Sequence, residues 1–550
     1  MTGVPRRTFL GTGIASGAAL LTGSLSALLP RKLHAADTIW LEQTIAALQA
    51  LMTSGELTSL ALTHGYLQRI ADLNPLLRAV IETNPEASAI AAQRDNERRR
   101  GHVRGPLHGI PILLKDNIAT DDQMQTTAGS LAIVNSRVPA DAVLAARLRA
   151  AGAVILGKAN LGEWANFRGF NPFGFYGWSA RAGATRNPYL LSYPSFGSSS
   201  GSGVAPAANL CAAAVGTETD GSIVGPAAVN LVVGLKPTLG LVSQTGIIPI
   251  SSEQDTAGPM ARTVTDIAIL LAALQSPFGE VAGHVVPPDY TLFLQRGALD
   301  GARIGIDRRF YDDYATYGFP GDDDTLPFFE QALDAMQSLG ATLVDTDSGD
   351  IFSYFDAEFT ALLGEFKVQI ADYLATLDHT RMRTLADLIA FNVKHCPAEM
   401  PYYGQELFEI SESTSGDPND PVTVAARAAA RLAARSGIDG ALSAGNLDAI
   451  VAPHLTNSTA PAVSGYPNLS LPVGITPAGK PAGMLMYSTF LREPELLGFA
   501  YDLEQEMNVR RQPQFLDEVV NPPDAGLCGE AKPPEVFKGK AHLPHGRLYL

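Results

Sequence analysis

The sequence predicts one large α/β domain, with a mixed β-sheet at its centre and helices covering both faces of the sheet. Two short apolar segments, 110–114 and 153–156, are separated by a helical pattern at 141–151. Uninterrupted apolar strands that alternate with helices are typical of a sheet buried on both sides. The chain is also 46% hydrophobic and 17% charged over 550 residues, which excludes a disordered chain, a coiled coil and a collagen-like repeat.

The remaining elements follow from apolar spacing along the chain. Leucine and isoleucine recur at helical intervals within 38–71, which predicts helices there. We also predict a polar, arginine-rich helix at 84–102 and further helices near 327–338, 424–436 and 493–508. Short apolar runs predict strands at 447–453 and 469–472. An alanine-rich stretch predicts a helix at 204–214 with Pro206 in its first turn, where proline is tolerated.

The first 36 residues have the pattern of an export signal. Arg6 and Arg7 precede an apolar run, 9–29, that is diluted by glycine, serine and threonine, and small residues follow near position 36. The paired arginines and the weak hydrophobicity favour the twin-arginine type, although an uncleaved membrane anchor is the alternative reading. We therefore expect an exported chain, periplasmic or secreted, with no stable membrane association after cleavage.

Charge and cysteine content narrow the possible partners. The formal net charge is −16 and no broad basic cluster occurs, which argues against nucleic-acid binding. The three cysteines allow at most one disulfide, and Cys211 lies in an alanine-rich stretch typical of the core. No HExxH or comparable spacing is present, so we expect neither a metal nor a cofactor. The oligomeric state is left open.

Three polar residues stand where hydrolytic chemistry needs them. Ser198 and Ser222 each lie in a glycine- and serine-rich loop, and Lys115 ends an apolar strand. A serine hydroxyl needs a base to become a nucleophile, and a lysine serves as one only when burial makes it neutral. A second serine carries the proton between them, and glycines around Ser222 let backbone N–H groups converge on an oxyanion.

These features together resemble the amidase signature family over about residues 40–510. The resemblance is carried by five segments in the family's order: 109–117, 197–202, 216–223, 234–238 and 255–260. It implies the amidase signature fold for residues 37–515. Within this range, the more polar and less regular composition at about 278–440 predicts an insertion that shapes the substrate pocket. The many prolines and glycines near the end of the chain predict that 516–550 form an extended C-terminal tail.

The resemblance also implies a role for each matching residue. Ser222 becomes the acyl nucleophile, Ser198 the bridging serine after a cis peptide bond from Gly197, and Lys115 the general base. Ser199 supports this triad by hydrogen bonding. The implied oxyanion hole consists of the backbone N–H groups of Thr219, Asp220, Gly221 and Ser222.

The implied activity is hydrolysis of a carboxamide, and the motif form is most similar to bacterial peptide amidases, which act on C-terminal peptide amides. That similarity lies in 160–168, 217–224 and 404–407. Departures from the commonest family pattern concern substrate choice rather than reaction, since none removes a catalytic group; they are Ser200, Glu218, Asp220 and Val224. An aryl or aliphatic amidase and a non-catalytic exported binding protein remain alternatives, while the amidotransferase component that serves tRNA charging is disfavoured.

Two further readings are weighed against this one. The segment 197–201 matches GxSxG, so an α/β-hydrolase would use Ser199 with His454 or His395, but a proline-broken stretch precedes it where a strand is required. The sequence leaves two partners open for Arg168, a carboxylate of a peptide substrate and an internal acid. Six aromatic residues are either core or pocket, with core favoured: Trp164, Phe167, Phe175, Tyr176, Trp178 and Phe196.

Overall fold

The computed structural model describes residues 38–171, 176–276, 280–318, 321–521 and 525–528. Its centre is an eleven-stranded mixed sheet with helices packed on it, as the sequence predicts. The predicted export signal, Phe175 and residues 529–550 of the tail lie outside the described residues. In the part of the chain that is described, no helix is long and apolar enough to cross a membrane.

The strands are numbered in chain order. They are β1 Val80–Thr83, β2 Pro111–Lys115, β3 Val154–Ala159, β4 Trp178–Ser179, β5 Gly183–Ala184, β6 Ala213–Glu218, β7 Val233–Lys236, β8 Thr256–Ala261, β9 Glu280–Val281, β10 His284–Val285, β11 Arg303–Asp307, β12 Thr342–Thr346, β13 Ala449–Pro453, β14 Asn468–Ile475 and β15 Pro481–Tyr487. The order in the large sheet is β1-β3-β2-β6-β8-β7-β14-β15-β13-β11-β12. Strands β3, β2 and β6 run parallel, as do β13, β11 and β12, and the other neighbouring pairs are antiparallel.

The helices are numbered in the same way. They are α1 Ile45–Ser54, α2 Ser59–Leu77, α3 Ala87–Arg99, α4 Val143–Ala150, α5 Ser200–Ala207, α6 Val224–Val229, α7 Val264–Leu274, α8 Arg309–Asp312, α9 Tyr314–Tyr317, α10 Leu326–Ser338, α11 Phe355–Thr376, α12 Leu385–Lys394, α13 Cys396–Glu399, α14 Glu406–Glu412, α15 Pro421–Gly445, α16 Thr459–Ser464 and α17 Glu493–Met507. A short 3₁₀ segment, Glu163–Asn166, follows β3.

Strands β2 and β6 bring the predicted site together. They are parallel neighbours, with Leu114 opposite Val215, so both end at the same edge of the sheet. Every residue of β2 is buried because this apolar strand lies inside the sheet, between β3 and β6. Lys115, the last residue of this strand, is therefore carried into the interior.

The helix predicted at 204–214 is wrong in its bounds. The helix is α5, it begins at Ser200, and Pro206 lies next to its last residue rather than in its first turn. Small residues allow this early start because a Cβ at Gly201 would collide with Ala79 O and one at Gly203 would lie 2.9 Å from Pro226 O. The glycine- and serine-rich segment is thus a helix packed against the sheet, and residues 213–218 are strand β6.

The region 278–440 supplies more regular structure than its composition suggests. Strands β11 and β12 extend the large sheet beyond β13 to its edge. Helix α11 spans 22 residues and packs against α15, the longest helix described. These elements are continuous with the central sheet and helix layers.

One disulfide joins distant parts of the chain. Cys396 pairs with Cys528, 132 residues away, whereas Cys211 is free and buried as expected. The described part of the tail lies along the surface, where Leu191 N donates to Leu516 O at 2.9 Å and Ala525 N to Pro401 O at 2.8 Å.

Candidate active site

Lys115 is fully buried and makes three hydrogen bonds. Its Nζ lies 2.8 Å from Ser198 Oγ, 3.1 Å from Thr217 O and 2.8 Å from Thr217 Oγ1. Burial lowers the pKa of the Lys115 amine to about 7, although the carboxylates of Asp255 and Glu218 oppose that shift. The neutral amine is therefore accessible near neutral pH, which is the state that a general base requires.

The two predicted serines are in direct contact. Ser198 Oγ donates to Ser222 Oγ at 2.9 Å, and the Ser198 backbone N–H donates to the same oxygen at 3.0 Å. The peptide bond between Gly197 and Ser198 is cis, as expected. Lys115, Ser198 and Ser222, hereafter the Lys–Ser–Ser cluster, thus form one continuous hydrogen-bonded chain.

The turn between β6 and α6 carries the residues expected to form the oxyanion hole, 219–222. Gly221 has a φ of +76°, a left-handed conformation that glycine adopts without a steric penalty. The Glu218 carboxylate accepts the N–H groups of Ile223 at 2.7 Å and Val224 at 3.0 Å. These bonds fix the start of α6 directly after Ser222.

Hydrogen bonds to two carboxyl groups, Asp255 and Asp220 of the turn itself, anchor the same turn. Thr219 Oγ1 donates to Asp255 Oδ1 at 2.6 Å, and Thr459 Oγ1 donates to an Asp220 oxygen at 2.7 Å. Burial raises the pKa of Asp255 to about 6 and raises the pKa of Asp220 well above its usual value. The side chains of Thr219 and Asp220 therefore anchor the turn, which leaves its backbone as the group next to Ser222.

Ser199 links the first loop to β6. Its Oγ donates to Thr217 O at 2.9 Å and accepts the Thr217 N–H at 3.1 Å. These bonds fit the supporting role expected for Ser199. Because the Ser199 hydroxyl is hydrogen-bonded to the Thr217 backbone, it is not arranged as the nucleophile of a serine–histidine pair. Burial lowers the pKa of His454 to about 4, which keeps that imidazole neutral.

Several residues that hold the site are not predicted from the sequence. Thr217 and Asp255 lie inside family segments, but the residue pattern gives no role to either. Gln254 donates to Thr219 O at 3.0 Å and to Glu358 Oε1 at 2.6 Å, which connects the turn to α11. Burial raises the pKa of Glu358 to about 7. No local sequence signal identifies Gln254 or Glu358, because their contact depends on how α11 packs.

A cavity of about 450 Å³ lies beside the cluster. It reaches the site at Thr217 and Thr219, and its wall includes residues of the 247–250 loop and of α11. The cluster residues themselves do not line it. Among the residues of the described ranges, no group of three or more His, Cys, Asp or Glu side chains is arranged to hold a metal ion.

Arg168 pairs with an internal acid. It is fully buried, contacts the Glu163 carboxylate and lies over the Tyr403 ring at 4.0 Å. The five aromatic residues of the described set are also buried, as the core reading predicts: Trp164, Phe167, Tyr176, Trp178 and Phe196.

A model of the family described as Amidase matches residues 61–462. The chain belongs to the amidase signature family. A protein of Arabidopsis thaliana named as a probable amidase is 39% identical over 86% of this chain and 92% of its own length. A glutamyl-tRNA(Gln) amidotransferase component of Halorhodospira halophila is also 39% identical, over 55% of this chain and 60% of its own.

Solved amidase structures are similar over most of the chain. The native peptide amidase of Stenotrophomonas maltophilia is 48% identical with a TM-score of 0.80, covering 87% of this chain and 99% of its own. A bacterial aryl acylamidase of the same family, 22% identical with a TM-score of 0.69, shows the shared fold. The amidase described here therefore has the amidase signature fold and is an enzyme of the hydrolase class that acts on amides.

Proposed function

We propose that this amidase hydrolyses carboxamides through the Lys–Ser–Ser cluster, with C-terminal peptide amides as its substrates and a carboxylate and ammonia as its products. The observation that carries the proposal is the unbroken chain from Lys115 Nζ to Ser198 Oγ at 2.8 Å and on to Ser222 Oγ at 2.9 Å. Each separation is within hydrogen-bond distance, so one proton shift along the chain generates the nucleophile.

In the first half-reaction, neutral Lys115 takes the proton of Ser198 as Ser198 takes the proton of Ser222. Ser222 Oγ then forms a bond to the carbonyl carbon, and the negative charge on the carbonyl oxygen is stabilised by backbone N–H groups of the 219–222 turn. The proton returns through Ser198 to the leaving nitrogen, the C–N bond breaks, and ammonia departs. Water repeats the sequence on the acyl-enzyme and releases the carboxylate.

The peptide-amide assignment is supported by likeness in sequence and in fold. The peptide amidase of Stenotrophomonas maltophilia is 48% identical and is covered over 99% of its length. A peptide amidase solved in complex with the competitive inhibitor chymostatin is also 48% identical. The aryl acylamidase is 22% identical, so it supports the fold and carries no substrate argument. An aryl or aliphatic amidase is thus the alternative outcome of the test.

Ammonia or amine release from four classes of substrate tests the proposal: peptide amides, dipeptides, aryl amides and short aliphatic amides. We expect peptide amides to have the highest kcat/KM, and the Ser222→Ala and Lys115→Ala variants to lose turnover while remaining folded. Ser202→Ala is the matched control, since Ser202 Oγ donates to Val215 O at 3.0 Å outside the cluster. No release by the wild-type protein would instead favour a binding protein on this scaffold.

We also propose that the chain is exported by the twin-arginine route. Arg6 and Arg7 support this assignment, and the Cys396–Cys528 disulfide fits an oxidising compartment. Replacing both arginines with lysine should retain the protein in the cytoplasm, as measured by fractionation. Export that continues unchanged in that variant would contradict the twin-arginine assignment.

A further inference from the structure

The cavity beside the Lys–Ser–Ser cluster is lined in part by two residues that each carry a buried polar atom without a partner. Ile247, Ile248 and Pro249 supply much of the apolar wall. Among the residues that line the cavity, Asn117 and Tyr373 each have a buried side-chain oxygen with no hydrogen-bond partner among the described residues: Asn117 Oδ1 and the Tyr373 hydroxyl. Both atoms belong to residues that line the cavity.

Asn117 presents an acceptor. Its Nδ2 donates to Thr217 Oγ1 at 3.0 Å, which fixes the orientation of the carboxamide and leaves Oδ1 on its other side. The side chain is buried, so rotation into bulk water is not available to it. The arrangement therefore keeps one buried oxygen ready to accept an N–H group.

Tyr373 presents a donor. It lies near the end of α11, and its side chain is partly exposed while the hydroxyl oxygen is buried. Burial raises the pKa of this hydroxyl, so it keeps its proton at neutral pH. A buried O–H group without a partner carries a desolvation cost, and a carbonyl oxygen of a ligand removes that cost.

Two other polar side chains on the wall, Asp255 and Gln369, are already occupied. Asp255 accepts the N–H groups of Ile250 at 2.7 Å and Ser251 at 3.0 Å besides its bond with Thr219. Gln369 accepts the Ser252 N–H at 2.6 Å. The unmatched pair is thus one donor and one acceptor without a net charge, which complements the C=O and N–H of a secondary amide.

We propose that Tyr373 and Asn117 recognise a peptide group of the substrate other than the carboxamide that is cleaved. The Tyr373 hydroxyl donates to the carbonyl of that peptide group, and Asn117 Oδ1 accepts its N–H. This inference rests on the proposed function and narrows it, because it makes N-acylated amino-acid amides and longer peptide amides better substrates than simple primary amides. The 247–250 loop receives an apolar part of the same substrate.

The test compares N-acetylphenylalaninamide with 3-phenylpropanamide, which has the same carboxamide and aromatic ring but no peptide group. Tyr373→Phe should lower kcat/KM for the acetylated substrate about tenfold, mainly through KM, because one hydrogen bond is lost. The same variant should change kcat/KM for 3-phenylpropanamide by less than about twofold. Its pH profile should be the same on both substrates. Tyr66→Phe is the control, since Tyr66 is a buried tyrosine that packs on Trp40 and does not line the cavity.

A second arm tests the acceptor without changing the protein. Methylation of the peptide nitrogen of N-acetylphenylalaninamide removes the N–H, and it should lower wild-type kcat/KM at least as much as Tyr373→Phe does. If Tyr373→Phe lowers kcat/KM for both substrates equally, or for neither, the inference is wrong while the proposed function stands. If wild-type protein releases ammonia from neither substrate nor from any longer peptide amide, the proposed function fails first.

Discussion

Thr217 contacts the Lys115 amine twice, with its backbone carbonyl at 3.1 Å and with its side-chain hydroxyl at 2.8 Å. Together with Ser198 Oγ, these atoms match the three N–H bonds of a protonated lysine. The site thus accommodates the charged amine geometrically, while burial favours the neutral one. The pKa of Lys115 is about 7 because burial lowers it while the carboxylates of Asp255 and Glu218 oppose that shift.

This balance predicts how activity depends on pH. Because the proposed base must be neutral, kcat/KM of the wild-type enzyme should rise with pH to a plateau, with a midpoint near 7. Thr217→Val removes one acceptor of the charged form, so the pKa of Lys115 should fall and the midpoint should move to lower pH. Thr217→Ser keeps the hydroxyl and should keep the midpoint. Wild-type activity that stays level down to pH 4 would refute Lys115 as the base.

Stability should change with pH in a related way. The pKa of Lys115 is about 7 in the folded enzyme and 10.5 ordinarily, so between these values the unfolded chain binds more protons than the folded one. The free energy of unfolding therefore rises with pH across this window, because burying the amine costs least when it is already neutral. Lys115→Met removes the titration, so its stability relative to wild type should decline from pH 7 to pH 10.

Denaturant unfolding of both proteins at several pH values measures this difference. Lys115→Ala is less suitable here, since it leaves a cavity that lowers the free energy of unfolding at every pH. A constant difference between Lys115→Met and wild type from pH 7 to pH 10 would show that the amine is not perturbed by folding. Activity should be lost in the Met variant throughout the range.

Arg168 and Glu163 form a buried ion pair, and each side chain is fully buried. Arg168→Met should lower the free energy of unfolding by about 3–5 kcal/mol, because it leaves a buried carboxylate without its counter-charge. The double variant with Glu163→Gln should recover part of that loss. Thermal or denaturant unfolding checks both values, and a double variant less stable than the single one would contradict the pairing.

How much the sequence predicts depends on whether a feature is local. The continuous apolar run of β2 predicts a buried strand that ends at Lys115, and the ordered family segments identify Lys115, Ser198 and Ser222 as one catalytic set. The contact between Gln254 and Glu358 joins residues 104 positions apart, and it exists only because α11 packs beside the 219–222 turn. Strand β11 likewise pairs with β13, far along the chain. Such pairings depend on the order of strands and on helix packing, which local periodicity does not report.

Helix α5 shows a different limit. Its first residues are serine and glycine, which have low helix propensity, so the sequence favours a loop there. Tertiary packing overrides that preference, because Gly201 and Gly203 permit close approach of Ala79 and Pro226 backbone. Local propensity thus misplaces the start of the helix by four residues.

The disulfide links the tail to the segment that follows α12. Cys396 and Cys528 close a loop of 132 residues, and closing a loop of this length restricts the unfolded chain strongly. Replacing both cysteines with alanine should therefore lower the free energy of unfolding by about 2–5 kcal/mol. Reductant should lower the Tm of the wild-type enzyme and leave the Tm of the double variant unchanged. Cys211 does not interfere with this comparison, since burial raises the pKa of its thiol to about 12 and keeps it unreactive.

The tail also pairs with Tyr189 and Leu191, in the loop that leads to Gly197 and Ser198, so activity should decline on heating together with this Tm. If reductant leaves the wild-type Tm unchanged, the tail does not depend on the disulfide for its position.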